Sequence, residues 1–291
     1  MSVDREAAPD LAVPIEPGTG VVSLRGATLR YGDRVLWQAL DLDVAPGEFV
    51  AVLGPNGSGK TSLLRVLLGL QPLSGGTVRV VGEPPGHGNR RIGYVPQQRA
   101  MGESLTLRGR DLVGLGLDGH KWGIGLRGMR SRRTRVDHEL EAVGARGFAD
   151  APVGRLSGGE QQRLRVAQAL ISDPEVLLCD EPLLSLDLAN QQVVSSLIDQ
   201  RRRAANTAVL FVTHEINPVL PLVDRILYLV DGRFRIGRPD EVMTAETLSE
   251  LYRAPIDVVR VQGQIHVVGA QIALCEDQPH HHLHDDAPGE N

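Results

Sequence analysis

The segment Gly54-Pro55-Asn56-Gly57-Ser58-Gly59-Lys60-Thr61 constrains this chain more than any other. It meets every fixed position of the pattern G-x-x-x-x-G-K-[ST]. The apolar run 49–53 precedes it and a helix-like stretch beginning at Ser62 follows, so the spacing predicts strand, loop, helix. Glycines let backbone N–H groups approach an anion closely, and a helix N-terminus carries partial positive charge. The pattern therefore implies a nucleoside triphosphate. Lys60 would reach its β- and γ-phosphates, the Thr61 hydroxyl would bind Mg²⁺, and Ser62 would add a hydroxyl and an N–H to the phosphate chain. A glycine-rich turn without a ligand is the competing reading, and the strand–loop–helix setting disfavours it. What the triphosphate drives is left open by the loop alone.

Composition narrows the classes. The chain has 291 residues, enough for one large or two small domains. Hydrophobic residues make up 42% and charged residues 23%, an ordinary globular balance. With 31 Lys+Arg against 36 Asp+Glu the net charge is −5, so bulk charge gives no sign of a nucleic-acid partner. No apolar stretch approaches the ~18 residues that a membrane-crossing helix needs. Residues 1–20 are acidic, contain proline and lack an apolar secretion core, which reads as a flexible leader and not a signal peptide. Cys179 and Cys275 lie far apart with no C-x-x-C spacing, and Cys179 ends an apolar run like a small buried hydrophobe. The expectation is a cytoplasmic protein.

Between residues 21 and 98, short β-rich runs at 21–24, 49–53, 77–81 and 91–95, with Val44, alternate with Gly-Pro turns. Residues 101–150 change to longer helical segments. They contain a basic run, Arg127, Arg130, Arg132, Arg133 and Arg135, read either as a solvated loop or as a contact for an acidic partner or anionic lipid. Leu164, Ala167, Leu170 and Ile171 sit at helical spacing, and strands recur at 176–179, 208–213 and 226–230 with a helix over 190–204. That alternation predicts a mostly parallel sheet covered on both faces. Residues 241–272 read as a helix and a hairpin turning at Gln262-Gly263, and residues 273–291 as a disordered tail.

Six further segments accompany the phosphate loop. Leu156-Ser157-Gly158-Gly159-Glu160-Gln161-Gln162-Arg163 places Ser157, Gly158 and Gly159 at a helix start, a second anion-binding N-terminus. This segment resembles the signature motif of ABC-type ATPases. Val176-Leu177-Leu178-Cys179-Asp180-Glu181-Pro182 resembles a Walker B strand: Asp180 would hold Mg²⁺ and Glu181 would polarise the attacking water as general base. By the same resemblance His214 is the switch histidine that contacts the γ-phosphate. Gln97, with Gln98 as fallback, is the glutamine that touches Mg²⁺ and water and senses a membrane partner. Tyr31 is the aromatic that stacks on adenine, or else a core residue. Ser185-Leu186-Asp187 occupies the D-loop position, with Leu184 where Ser is usual. The segments occur once each, in family order, over residues 21–240.

The resemblance implies an α/β P-loop NTPase fold: a RecA-like core, an antiparallel β-subdomain near the N-terminus, and an inserted ABC α-helical subdomain at about 99–165. It implies an ATPase using ATP and Mg²⁺, with Glu181, His214, Gln97 and Lys60 catalytic. Two copies would pack head to tail as a homodimer around two ATP molecules, each signature completing the other copy's phosphate loop. Separate integral-membrane permease subunits would be driven from the cytoplasmic face, with a solute-binding protein as an indirect partner. The stretches 213–220, 224–229 and 248–252 resemble the manganese/zinc/iron importer type. The tail adds His280, His281, His282 and His284 beside Asp285 and Asp286, read either as Zn²⁺ or Mn²⁺ ligands or as a solvated tail without a role. The alternatives are an ABC subunit for another solute, an exporter, or a soluble ABC ATPase acting on ribosomes or DNA.

Overall fold

The computed structural model describes residues 20–97, 106–118 and 129–269. The leader through residue 19, Gln98, Arg127 and the tail with Cys275 and its histidines lie outside the described residues. In chain order the elements are β1 (Val22–Tyr31), β2 (Arg34–Val44), β3 (Phe49–Leu53), α1 (Lys60–Leu67), β4 (Gly75–Val80), β5 (Ile92–Val95), α2 (Gly109–Asp118), α3 (Met129–Ala142), α4 (Gly158–Leu170), β6 (Val176–Asp180), α5 (Leu188–Ala205), β7 (Ala208–Val212), β8 (Arg225–Val230), β9 (Arg233–Gly237), α6 (Pro239–Val242), α7 (Ala245–Tyr252), β10 (Ile256–Val261) and β11 (Gln264–Gly269).

The main sheet has six strands in the order β5-β6-β7-β3-β8-β9. Its neighbours run parallel except β9, which returns antiparallel to β8. Every residue of β3, β6 and β7 is buried, as continuous apolar runs require when helices cover both faces. The period of two divides these strands between two cores. Val50, Val52, Leu178, Leu210 and Leu229 meet Leu63, Leu64 and Leu67 of α1 on one face. Phe49, Ala51, Leu177, Cys179 and Phe211 meet Val166 of α4 and Val194 and Ile198 of α5 on the other. Each fully buried Leu or Phe contributes about 1.5–3 kcal/mol. The phosphate loop thus springs from a fully buried strand paired on both sides.

A second sheet, β2-β1-β4, is antiparallel and closes over the α1 side of the first core. Its strands are longer than the sequence pattern indicates. β1 continues past residue 24 to Tyr31, and β2 begins ten residues before Val44. Bulges cause the discrepancy: the register shifts between Leu24 and Ala27 and again beyond, and Ala39 has φ +52°. A bulge inserts an extra residue and turns the alternation over, so the period-two signal cancels along the strand.

Helices α2, α3 and α4 enclose a third core of Leu112, Val113, Val136, Leu140, Leu164 and Ala167. Helix α4 belongs to both this layer and the sheet face, since Leu164 and Val166 point to opposite cores. The part of the basic run from Arg130 to Arg135 lies on helix α3 and not on a loop. Arg135 donates to the Ile171 carbonyl at 2.9 Å and pairs with Asp173, while Arg133 lies 3.8 Å from Asp137. The hairpin β10–β11 turns at Gln262-Gly263, and the Asn217 side chain clamps both the N–H (2.8 Å) and the carbonyl (3.0 Å) of Ile265. Among the described residues no helix is long and apolar enough to cross a membrane.

Candidate nucleotide site

The loop between β3 and α1 is shaped by two close approaches. A side chain on Gly54, whose φ is +142°, would place its Cβ 2.1 Å from the Leu229 carbonyl of β8. Gly59, the N-cap of α1 with φ +96°, lies against the Trp37 ring, which a Cβ would meet at 3.0 Å. No side chain caps α1, so its first N–H groups point into the loop without a protein acceptor from a cap. Gly57 and Asn56 form the exposed crest, and the Arg34 guanidinium donates to the Gly57 carbonyl at 3.1 Å. Pro55 accepts from the Ser58 N–H at 3.2 Å. The Ser58 hydroxyl is buried and has no hydrogen-bond partner. Lys60 is only 5% exposed, and its Nζ donates to the carbonyls of Gly54 (2.7 Å) and Pro55 (3.0 Å). Burial holds the Lys60 pKa below the usual lysine value, against the carboxylates of Glu181 and Asp180, which raise it. The result is a cation held ready beside uncapped N–H groups. Ser62 lies in the first turn of α1.

Beside the loop, Thr61 Oγ1 donates to Asp180 Oδ1 at 3.0 Å. Asp180 is 3% exposed, and burial raises its pKa, with the neighbouring Glu181 charge adding to the effect and the Thr61 hydrogen bond opposing it. The Tyr94 hydroxyl stands 3.5 Å from Asp180 Oδ2, its own pKa pushed up to about 12 chiefly by burial. A hydroxyl and a carboxylate are hard oxygen donors, the type Mg²⁺ takes. No group of three or more His, Cys, Asp or Glu among the described residues could hold a metal unaided. That agrees with Mg²⁺ practice, since one or two carboxylates usually share the ion with substrate phosphates. The residues present therefore fit this ion.

Glu181 follows directly, with φ +48° and its N–H donating to the Val212 carbonyl at 3.0 Å. That bond ties the turn after β6 to the adjacent strand β7 and aims the carboxylate sideways. Gln97 Nε2 donates to Glu181 Oε2 at 3.3 Å, and His214 Nδ1 lies 3.7 Å from the same oxygen. The His214 backbone is set by Thr213, whose hydroxyl accepts from the Glu215 N–H at 3.1 Å and donates to the Glu215 carbonyl at 2.8 Å. A cavity of about 90 Å³ is lined by Glu181, Ser185, Thr213 and His214. It is roomy enough for water and edged by polar groups.

The structure brings Lys60, Thr61, Gln97, Asp180, Glu181 and His214 together. No hydrogen bond among the described residues links Ser157, Gly158 or Gly159 to the phosphate loop. Ser157 caps α4 in a reciprocal box with Glu160. Asp187 caps α5, accepting from Asn190 N at 2.8 Å. Tyr31, at the end of β1, is 49% exposed and pairs across the strand with Arg34, the residue bonded to Gly57. Sequence reasoning missed Trp37 behind Gly59 and Tyr94 beside Asp180. The scarcity of aromatics, 3% of the chain, was the one available signal for both.

A strand-anchored phosphate loop beside a buried carboxylate and an adjacent acid defines a P-loop nucleotide hydrolase. The family model described as "ABC transporter" matches residues 37–184, and the chain belongs to that family. It is 36% identical to the Fe(3+) ions import ATP-binding protein of Streptomyces avermitilis, over 87% of this chain and 70% of that one. It is 35% identical to the zinc transport system ATP-binding protein of Treponema pallidum, over 80% of this chain and 86% of that one. It is also 35% identical to an aliphatic sulfonates import ATP-binding protein of Paraburkholderia xenovorans, over 86% and 96% respectively. Among solved structures, a chain of a transporter assigned to the metal-chelate type, in an inward-facing conformation, matches with a TM-score of 0.72 at 28% identity. That match covers 87% of this chain and 98% of the other. The chain is the ATP-binding, ATP-hydrolysing subunit of an ABC transporter.

Proposed function

We propose that this subunit powers an importer of divalent metal ions, manganese or zinc, as a head-to-tail homodimer on the cytoplasmic face of the membrane. Separate permease subunits carry the solute, delivered by a solute-binding protein, and no nucleic acid takes part. The observation that carries the catalytic part is Glu181 held between Gln97 and His214, one residue beyond the Thr61–Asp180 pair. In this reading Glu181 orients and deprotonates the attacking water, and His214 holds that carboxylate in line. Lys60 and the N–H groups of residues 57–62 stabilise the charge on the transferred phosphoryl group, and Tyr31 stacks on adenine. Thr61, Asp180 and Gln97 would hold Mg²⁺, which neutralises charge on the β- and γ-phosphates. Ser157, Gly158 and Gly159 complete the partner copy's site.

The metal substrate is supported by the likeness of residues 213–220, 224–229 and 248–252 to metal-type subunits and by the zinc relative. The sulfonate relative, of equal identity, supports the second reading, an importer of another solute. The experiment is a deletion strain grown under metal starvation, with cell manganese and zinc measured and sulfonate use scored alongside. A several-fold fall in one metal is expected. Normal metal content with lost growth on sulfonates would replace the metal reading, and co-purification with ribosomes instead of a multi-span membrane protein would end the transport assembly.

A further inference from the structure

Within one chain the signature turn approaches the first turn of α5, the helix that follows the loop after the Walker B strand. Asn190, in the first turn of α5, lies over Gly159: a Cβ on Gly159 would meet Asn190 Oδ1 at 2.3 Å. The same Asn190 is fixed from below by Asp187, through its N–H to Oδ1 (2.8 Å) and its Nδ2 to Oδ2 (2.8 Å). Asp187 in turn ends a loop whose two bends, Glu181 and Ser185, have positive φ of 48° and 63°. Side chains rarely adopt that conformation, so the surroundings must hold it. One turn further along α4, on the Gly159 face, Gln162 is completely buried with neither amide atom hydrogen-bonded. A buried amide without a partner marks a joint whose packing is not at its best arrangement.

We propose that Asn190 is a positioning residue that couples the two anion sites inside one chain. Movement of Gly159, when the partner copy's γ-phosphate arrives at this signature, is passed through the Asn190 amide to Asp187. From there it runs along the 181–187 loop to the carboxylate of Glu181. Occupancy of one composite site thereby sets the acid of the other. The inference rests on the head-to-tail dimer proposed above.

The test measures steady-state ATP hydrolysis by the full chain as native, Asn190→Ala, Gly159→Ala and the double variant, with melting temperature recorded for each. ATP-driven dimerisation is followed by size exclusion in the Glu181→Gln background. Asn190→Ala is expected to leave KM within about two-fold while kcat falls about ten-fold, since a small misplacement of a reacting group costs at least that much. Its Hill coefficient should drop toward one, and its melting temperature should stay within a few degrees of native. Gly159→Ala should be the more damaging single change, and adding Asn190→Ala should recover activity by vacating the space. A dimer that forms normally while Asn190→Ala keeps native kcat and Hill coefficient overturns the coupling and spares the dimer. A parallel loss of kcat, KM and melting temperature assigns Asn190 a merely structural role and also overturns it. Failure of Glu181→Gln to dimerise with ATP removes the dimer, and the coupling with it.

Discussion

Two helix N-termini in this chain offer the same backbone chemistry in opposite states of readiness. At α1 the N-cap is a left-handed glycine without a side-chain cap, with Lys60 folded over the loop and a hydroxyl, Ser58, buried without a partner. At α4 the N-cap is Ser157, whose hydroxyl accepts from Glu160 N at 3.3 Å while Glu160 Oε2 accepts from Ser157 N at 2.8 Å. The first end is left open by its own residues, and an anion fills a vacancy in its hydrogen bonding. The second satisfies itself, and the acid in its first turn already complements the helix dipole. A phosphate reaching α4 must displace or share the capping hydroxyl. The contrast supports the proposed division of labour, in which ATP binds first at α1 and the signature acts on the nucleotide of a second copy.

The largest expected effect removes chemistry and leaves both helix ends intact. Glu181→Gln keeps the shape and the Gln97 contact but cannot accept a proton. Turnover should fall roughly 10²–10⁴-fold, the range general-base removal spans, while ATP still binds and traps the dimer. An ATPase assay with size exclusion in ATP checks both, and sustained turnover would disqualify Glu181 as the base.

The next pair tests the comparison directly. Lys60→Ala should weaken ATP binding to the single chain on the order of 100-fold, because a buried charge-assisted phosphate contact is worth roughly 1.5–3 kcal/mol. Ser157→Ala should leave that binding unchanged, lower stability by about 1 kcal/mol through loss of the cap, and reduce turnover only where dimerisation is needed. Equal loss of monomer binding in both variants, read by titration with a fluorescent ATP analogue, would erase the distinction between the two ends.

Asp180 supplies a smaller test with a defined sign. Its pKa is raised, first by burial and then by the Glu181 charge, so the folded chain holds that proton more tightly than the unfolded one. Stability from this group is present at acid pH and is lost as pH rises from the unfolded value through the folded one. Asp180→Asn should therefore melt above the native chain at neutral pH by about 2–4 °C, as a change on the order of 1 kcal/mol does. The gap should close as pH falls toward 4, and ATP hydrolysis in Mg²⁺ should be absent throughout. A lower melting temperature at pH 7 would mean that Asp180 contributes more through Thr61 and Tyr94 than burial costs it.

The parts of the molecule legible in sequence are those where one residue type meets a single physical demand. The phosphate loop is readable because only glycine fits against the Leu229 carbonyl and the Trp37 ring. The strands β3, β6 and β7 are readable because burial on both faces leaves no polar position. Legibility fails where two demands overlap. In β2 the register shift between the Leu29–Trp37 and Arg30–Val35 pairs leaves Leu36 as an extra residue, so Leu36 and Trp37 are buried in succession and the strand disappears from the pattern. Arg130 to Arg135 read as loop because charge dominates, yet Val136 and Leu140 on the same helix anchor it in a core. Asn190 escaped notice because its spacing to Gly159 exists only in the folded chain.

Tyr31 carries the smallest prediction and extends the comparison to the base end of the nucleotide. Its ring stands 49% exposed at the tip of β1, with its hydroxyl on Gln71 Oε1 at 2.5 Å. Arg34, its cross-strand partner, holds the Gly57 carbonyl, so the strand end that carries the ring is tied to the phosphate loop. An aromatic stack contributes about 0.5–1.5 kcal/mol beyond its buried area. Tyr31→Ala should therefore raise KM for ATP roughly three- to five-fold with kcat nearly unchanged, the behaviour of binding shared equally by ground and transition states. Tyr31→Phe should restore the native KM, since the ring and not the hydroxyl does the stacking. If Tyr31→Phe is as weak as Tyr31→Ala, the Gln71 hydrogen bond positions the α1 end and the adenine stack is refuted.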